Sequence, residues 1–314
     1  MKVLVVQQRY GIGDMLIFLP YLKALAEKNN VKISLLAKKT SRSSELFKAE
    51  NFLDEIIDLD STNDGISGFF KLSKEIKRRK FDKVYIFNGS IRYKLLALFA
   101  GIKDIFQYPL FTSKDIIFQT AKVFTETHVG KVLSTEPHLS IKEDDVIKAK
   151  KSYNIDEQTK NIILGVSASG STKRWDVENF IKLAVELKSF KNCKFFIAAG
   201  QKDFKIIDKI KNSEISSDCI SLDHLTIAKI LPIIKNCNLC VSCDTSFMHI
   251  SAALGIRTIG IFTDSPAYAY SGYSKNIYPI VPEGETVEST THDTLGKDNI
   301  SFEKVLEKAK SFLV

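Results

Sequence analysis

Residues 1–8 (MKVLVVQQ) are a short run of β-branched and aliphatic side chains, the pattern of a parallel strand buried on both faces. The turn 9–14 (RYGIGD) follows, and from 15 to 28 the apolar positions Leu16, Leu19, Leu22 and Leu25 fall at helical spacing, with Pro20 placed to kink the helix. The alternation continues: strand 31–37, short helix 43–49, strand 55–59, helix 67–79, strand 83–87, helix 91–100, strand 105–108 and partly helical sequence over 110–135. A helix over 144–152 reads as a bridge. Beyond it the pattern restarts with strand 161–166, helix 177–188, strand 194–199, helix 203–212, strand 219–222, helix 226–236 and strand 238–242. Pro232 inside 226–236 weakens the first part of that helix. A polar turn and helix over 243–255 and a strand at 258–262 follow, then a Gly-, Pro-, Ser- and Thr-rich stretch of about 35 residues, and loops that long are often functional. A helix over 302–313 ends the chain. Strictly alternating strands and helices predict an α/β fold of mostly parallel sheets covered on both faces.

The chain has 314 residues, enough for two domains with full cores, and with 44% hydrophobic and 26% charged residues it reads as ordinary globular material. Two doubly wound units, 1–150 and 151–314, are expected, with packing of the final helix back on the first domain allowed. No apolar run approaches the ~18 residues of a membrane span, and the sequence begins on a strand-like run and not a signal peptide, so a cytoplasmic protein is expected. Five cysteines do not make a disulfide framework. Cys237, Cys240 and Cys243 form a C-x2-C-x2-C run, but strand alternation sends Cys240 and Cys243 to opposite faces, and small buried hydrophobes are the better reading. Charge is uneven, since residues 1–150 hold 25 Lys and Arg against 18 Asp and Glu, leaving 20 against 19 for the remainder. A basic first half points to an anionic substrate or membrane surface, with the cluster around Lys74, Arg78 and Arg79 contributing most visibly; a solvated helix face is the plain alternative.

Three turns carry candidate chemistry. After the first strand, Gly11-Ile12-Gly13 invites a dinucleotide reading, but Leu16 stands at the third glycine position and the second strand ends in Lys38 and Lys39 without an acid for a ribose. What remains is Asp14 at a helix start, either an N-cap or a general base whose negative charge the helix N-terminus favours. Residues 167–175 (SASGSTKRW) lack a Walker pattern, yet small residues, hydroxyls and Lys173 suit a diphosphate, with Asp176 capping the next helix as the plain reading. Asp244, Thr245, Ser246 and His249 crowd one strand-to-helix turn, where unpaired amides and the helix dipole favour an anion.

These three turns, in order and over essentially the full length, resemble the lipopolysaccharide heptosyltransferase family (glycosyltransferase family 9, GT-B fold). Gly11-Ile12-Gly13-Asp14 and Pro20 match its first motif, Lys173 and Trp175 its small-residue loop ending in K-x-W, and residues 244–255 (DTSFMHISAALG) its D-[TS]-G-x-x-H-[IL]-A-x-A-L-G signature. Ser246 replaces the usual glycine, Arg257 a usual proline, and residues 262–266 (FTDSP) the common F-G-P-T loop, which leaves the fold expectation intact and the donor sugar open.

The resemblance implies two Rossmann-like domains facing a cleft, the first binding acceptor and the second nucleotide sugar. It implies an inverting, metal-independent transfer of a sugar, heptose from ADP-heptose, to a lipopolysaccharide core or related glycan. Asp14 would be the catalytic base, with Arg9 and Gly13 beside the acceptor. Ser171, Thr172, Lys173, Asp203, Asp244, Thr245, Ser246 and His249 would hold the donor, with Asp264 a further candidate for the sugar. No cofactor, metal or nucleic-acid partner is expected; the partners would be the nucleotide sugar, an anionic glycolipid or glycan, and transiently the inner face of the cytoplasmic membrane. A nucleotide-sugar epimerase and a non-catalytic nucleotide- or glycan-binding relative stay open as alternatives.

Overall fold

The computed structural model describes residues 1–109 and 116–314, the side chain of Gln201 excepted. The chain divides into two compact units, Met1–Pro137 and His138–Val314, a division earlier than the one expected near 150.

In the first unit the order is β1 (Val3–Gln7), α1 (Ile12–Asn29), β2 (Ile33–Lys38), α2 (Ser43–Leu46), β3 (Leu53–Leu59), α3 (Gly65–Arg79), β4 (Lys83–Ile86), α4 (Ile91–Phe99), β5 (Asp104–Gln107) and α5 (Ile117–Val129). The five strands are parallel in the order β3-β2-β1-β4-β5. All five β1 residues are buried, as a central strand covered on both faces requires. Leu72 and Ile76 of α3 and Leu96 and Ala97 of α4 close a core with Leu4, Val6, Val84 and Ile86 on one sheet face. α1 packs beside α5, and the Tyr21 hydroxyl donates to the Phe118 carbonyl at 2.8 Å. Pro20 lies inside α1, which runs unbroken to Asn29.

The second unit runs α6 (Glu143–Ser152), β6 (Lys160–Gly165), α7 (Val177–Phe190), β7 (Cys193–Ala198), α8 (Phe204–Lys211), β8 (Cys219–Ser221), α9 (Ile227–Lys235), β9 (Leu239–Cys243), α10 (Ser246–Ala253), β10 (Arg257–Ile261), α11 (Ala267–Ser271), β11 (Ile277–Ile280) and α12 (Phe302–Leu313). Its six parallel strands lie in the order β11-β10-β9-β6-β7-β8. In both sheets the winding reverses beside the first strand, between β1 and β4 and between β6 and β9. In such folds the strand ends at that reversal diverge into a crevice where ligands bind. α6 packs on α9 within this unit, and α12 packs on α7, β9 and β10.

The expected strands and helices form with boundary shifts of one or a few residues, and residues 110–115 of the partly helical stretch lie outside the described residues. The long irregular loop expected over 263–299 is corrected: it holds α11 and the edge strand β11, which pairs with β10. The β11 sequence, Ile-Tyr-Pro-Ile, carries a proline, which a sheet accepts only where an N–H is dispensable, as on an edge.

The reversal between β6 and β9 needs close strand packing, because Gly165 sits opposite Ser242 in the ladder. A Cβ at Gly165 would fall 2.0 Å from Ser242 Oγ. Gly165→Ala is therefore expected to destabilise the second unit by about 1–3 kcal/mol, the usual cost of overpacking. Denaturant unfolding should show the lower midpoint, and a second change, Ser242→Gly, should restore part of it. An unchanged midpoint in the single variant would contradict the packing.

Candidate functional site

In the second unit the loops leaving β6 and β9 are neighbours because their strands are hydrogen-bonded side by side. The β6 loop is anchored by Trp175, 1% exposed, whose ring meets Phe180 edge-on at 5.0 Å and stacks near Phe302 at 6.2 Å. Its backbone N–H donates to Cys243 Sγ, 3.3 Å away at the end of β9, so the two loops are tied together. The chain just before this anchor is a single turn, Ser171–Lys173, with Ser171 and Thr172 exposed and Lys173 half-buried.

After β9, Thr245 is the N-cap of α10, its hydroxyl accepting from Phe247 N–H at 3.3 Å. Ser246 opens the helix, whose first-turn amides have no intrahelical acceptor. Asp244 and His249 stand on either side of the cap with side chains 12% and 6% exposed and His249 Nε2 3.7 Å from Asp244 Oδ1. The other ring nitrogen, Nδ1, shares a 2.6 Å hydrogen bond with the Tyr273 hydroxyl, and the two rings stack at 5.8 Å. Burial works against the charge of Asp244, but the His249 ring 3.7 Å away, the neighbouring Ser265 hydroxyl and Lys173 outweigh it and hold the carboxyl below the usual carboxylate range.

A third strand end closes the group. Thr263, after β10, donates to the Thr172 carbonyl at 2.7 Å, and Asp264 accepts from Leu295 N–H at 3.1 Å. Burial disfavours the Asp264 charge as well, yet the Thr172 hydroxyl, that amide, Lys173 and His292 leave its carboxyl below the ordinary range. Lys173 Nζ lies 3.4 Å from His292 Nδ1. At 3.4 Å that contact is long, and an ammonium–phosphate hydrogen bond, charged on both sides and shorter, would displace it.

The expected donor group thus comes together in its main part: Ser171, Thr172, Lys173, Asp244, Thr245, Ser246 and His249 share the ends of β6 and β9. Asp203 is engaged elsewhere, one oxygen 3.0 Å from Arg174 Nη2 and the other accepting the Gly200 N–H at 3.2 Å. Tyr273, Ser265 and His292 join the site without a signal in the sequence, since each comes from the stretch that reads as irregular loop. Cys240 and Cys243 are fully buried and burial pushes both thiols up to about 12; among the described residues no three His, Cys, Asp or Glu cluster as a metal site would need.

The first unit presents its own site after β1. Gly11 is the N-cap of α1, and Asp14, three residues in, returns one carboxylate oxygen to Gly11 N–H at 3.2 Å. The other oxygen takes Arg9 Nε at 2.8 Å. Asp14 is therefore the reciprocal partner of the cap, one turn inside the helix, and not the N-cap itself. Its side chain is 17% exposed, and Gly13 is buried in the same turn.

Two doubly wound parallel units, each with its winding reversed beside its first strand, define the class: a double Rossmann-like α/β protein. Residues 111–297 match the family described as Glycosyltransferase family 9 (heptosyltransferase), and the chain belongs to that family. It is 26% identical over 167 residues to a Campylobacter jejuni lipooligosaccharide heptosyltransferase 2, a match over 48% of this chain and 51% of that one, so the chain spans about half the length of that curated relative. Its fold is shared with the Escherichia coli ADP-heptose lipopolysaccharide heptosyltransferase II, 19% identical with TM-score 0.78 over 100% of this chain and 98% of that one. A family 9 glycosyltransferase from Veillonella parvula superposes with TM-score 0.80 at 17% identity over 99% and 97% of the two chains.

Asp244 supports a pH prediction whose sign follows from its lowered pKa. A carboxyl held below its unfolded value of ~3.9 adds stability that is present above that pH and disappears as pH falls through the folded value. Asp244→Asn should therefore flatten the loss of second-unit stability below about pH 4. Equal acid slopes for parent and variant in denaturant titrations would refute the assignment.

Proposed function

We propose that the protein is an inverting glycosyltransferase that moves heptose from ADP-heptose to a lipopolysaccharide core or related glycan. The observation that carries the reading is the grouping of Lys173, the α10 start and the Asp244–His249 pair at the β6–β9 reversal of a family 9 chain. That group offers an ammonium and unpaired amides to a diphosphate, and buried acceptors to hydroxyls.

In the reaction the acceptor hydroxyl oxygen attacks the anomeric carbon from the face opposite the diphosphate. The bond from that carbon to the diphosphate oxygen breaks, its electron pair staying on the diphosphate. Lys173 and the first-turn amides of α10 offset the charge that develops there. The acceptor proton passes to Asp14. Arg9 and Gly11 occupy one lone pair on each of its oxygens, and a carboxylate has about four such sites, so a proton can still be accepted while the carboxylate is held in one rotamer.

The closeness of His249 and Asp244 fits hydrogen bonding to donor hydroxyls or phosphate, while the engagement of Asp203 by Arg174, the residue after Lys173, fits a supporting role for that ion pair. The reading needs no metal or other cofactor and no nucleic acid. It places the protein in the cytoplasm, visiting the inner face of the cytoplasmic membrane where its anionic acceptor would be found.

Asp14→Asn should lower transfer by at least ~10²-fold, the scale of general-base action, with ADP affinity near normal. Comparable turnover would remove Asp14 from the base role. Lys173→Ala should weaken ADP by about 1.5–3 kcal/mol in calorimetric titrations, and an unchanged dissociation constant would sink the diphosphate assignment. Transfer should persist in chelator. Sugar isomerisation without an acceptor would identify an epimerase instead.

A further inference from the structure

Outside these sites, the outward side of α3 and α4 stands out. Both helices cover one face of the first sheet with Leu72, Ile76, Leu96 and Ala97, which leaves their opposite sides to solvent. On that side Ile66, Phe70, Ile91, Leu95, Leu98 and Phe99 are 79%, 50%, 58%, 39%, 53% and 55% exposed. Ile66 and Phe70 are one turn apart on α3, and Ile91, Leu95 and Leu98 follow the i, i+4, i+7 stripe of α4. The rings of Phe70 and Phe99 meet edge-on at 6.0 Å, so the two stripes form one patch. Single exposed apolar residues are ordinary, whereas a contiguous patch of this kind marks an interaction surface.

The charge around it is mainly positive. Continuing the Ile66–Phe70 stripe by helical turns leads to Lys74 and Lys77, with Lys71 and Arg78 alongside and Lys94 on α4, all exposed. Lys74, Lys77, Arg78 and Lys94 enter no ion pair among the described residues. The only acid within either helix is Glu75, held by Arg79 at 3.0 Å; Asp64 precedes α3. Protein–protein interfaces are depleted of lysine relative to the rest of the surface, whereas lysines outside any ion pair border this apolar centre. It matches an amphipathic surface lying in the headgroup region of an anionic bilayer, with aliphatic and aromatic side chains dipped into the boundary and lysines on lipid phosphates.

We infer that the α3–α4 face is a docking surface for an anionic lipid membrane. The surface stands on its own geometry, whatever sugar is transferred, and it goes beyond the proposed function by naming the residues that meet the lipid.

Sedimentation of the full chain with vesicles of phosphatidylglycerol and phosphatidylethanolamine, against pure phosphatidylcholine, tests it. Binding is expected only to the anionic vesicles and should weaken with salt. Phe70→Ser with Leu98→Ser, and separately Lys74→Glu with Lys77→Glu, should each reduce partitioning by ~10-fold or more. Because all four residues are solvent-exposed, the variants should keep the parent's circular dichroism and its ADP affinity. Failure of the parent to bind anionic vesicles, equal binding to phosphatidylcholine, or parent-like binding by either folded variant would overturn the inference. So would a dimer in sedimentation velocity that Leu98→Ser dissolves, since that would assign the face to a second copy of this chain. Vesicle binding is read without transfer, so loss of one leaves the other independently measurable.

Discussion

The pairing of β6 with β9 is the constraint on which the polar group around Asp244, the proposed donor site, depends. It is a neighbour relation between strands far apart in sequence, and it exists only because the winding of the second sheet reverses there. Gly165 makes it possible by leaving room for Ser242, and the Trp175 amide on Cys243 Sγ carries the same closeness one step further, from the sheet into the loops. Lys173 is thereby brought near Asp244 and the start of α10, its ammonium resting 3.4 Å from His292 Nδ1. An ammonium on a flexible stem could leave that ring for an arriving anion, while the strands below it are fixed by their ladder.

Rigidity is concentrated where charge is buried. Asp244 is nearly enclosed, and a buried carboxylate is tolerable only when its partners are themselves fixed. His249 is fixed from behind by the Tyr273 hydroxyl and by stacking on that ring, so the imidazole presents one nitrogen to Asp244 and has the other satisfied. The same logic runs through Asp264, which holds Leu295 N–H and anchors a residue at φ 48°, a left-handed conformation that a leucine seldom adopts unaided. The stretch after β10 is thus tied back to the ends of β6 and β9 by several polar contacts.

Most of the fold was legible because doubly wound proteins write their strands as unbroken apolar runs and their helices as 3.6-residue stripes. The grouping at Asp244–His249 was legible for a related reason: its residues are contiguous, so their closeness at one strand-to-helix turn can be read from spacing alone. Tyr273, Ser265 and His292 were not, because their part depends on where an irregular segment returns in space, which leaves no period in the sequence. β11 was hidden by its own proline and by its brevity. Asp14 was half legible: a carboxylate at a helix start is visible in the sequence, but its place three residues inside α1, reaching back to Gly11 with Arg9 on its other oxygen, is a matter of one helical turn that pattern reading does not resolve.

The uneven charge of the chain acquires a location from the same reasoning. If the basic excess served the diphosphate, it would gather in the second unit at the β6–β9 reversal. That site has a single lysine, Lys173, with amides supplying the remaining positive potential, and residues 151–314 are close to neutral with 20 cations against 19 anions. The excess lies in the first half, and Arg9 there is committed to Asp14. The cations left over include Lys74, Lys77 and Arg78, which face solvent beside exposed phenylalanine and leucine on α3 and α4. Helix propensity does not call for phenylalanine on a solvated face, and solubility alone would be served better by acids. The two anomalies, apolar exposure and unpaired positive charge, coincide on one surface, and a charged bilayer is the one solvent-like partner that satisfies both at once.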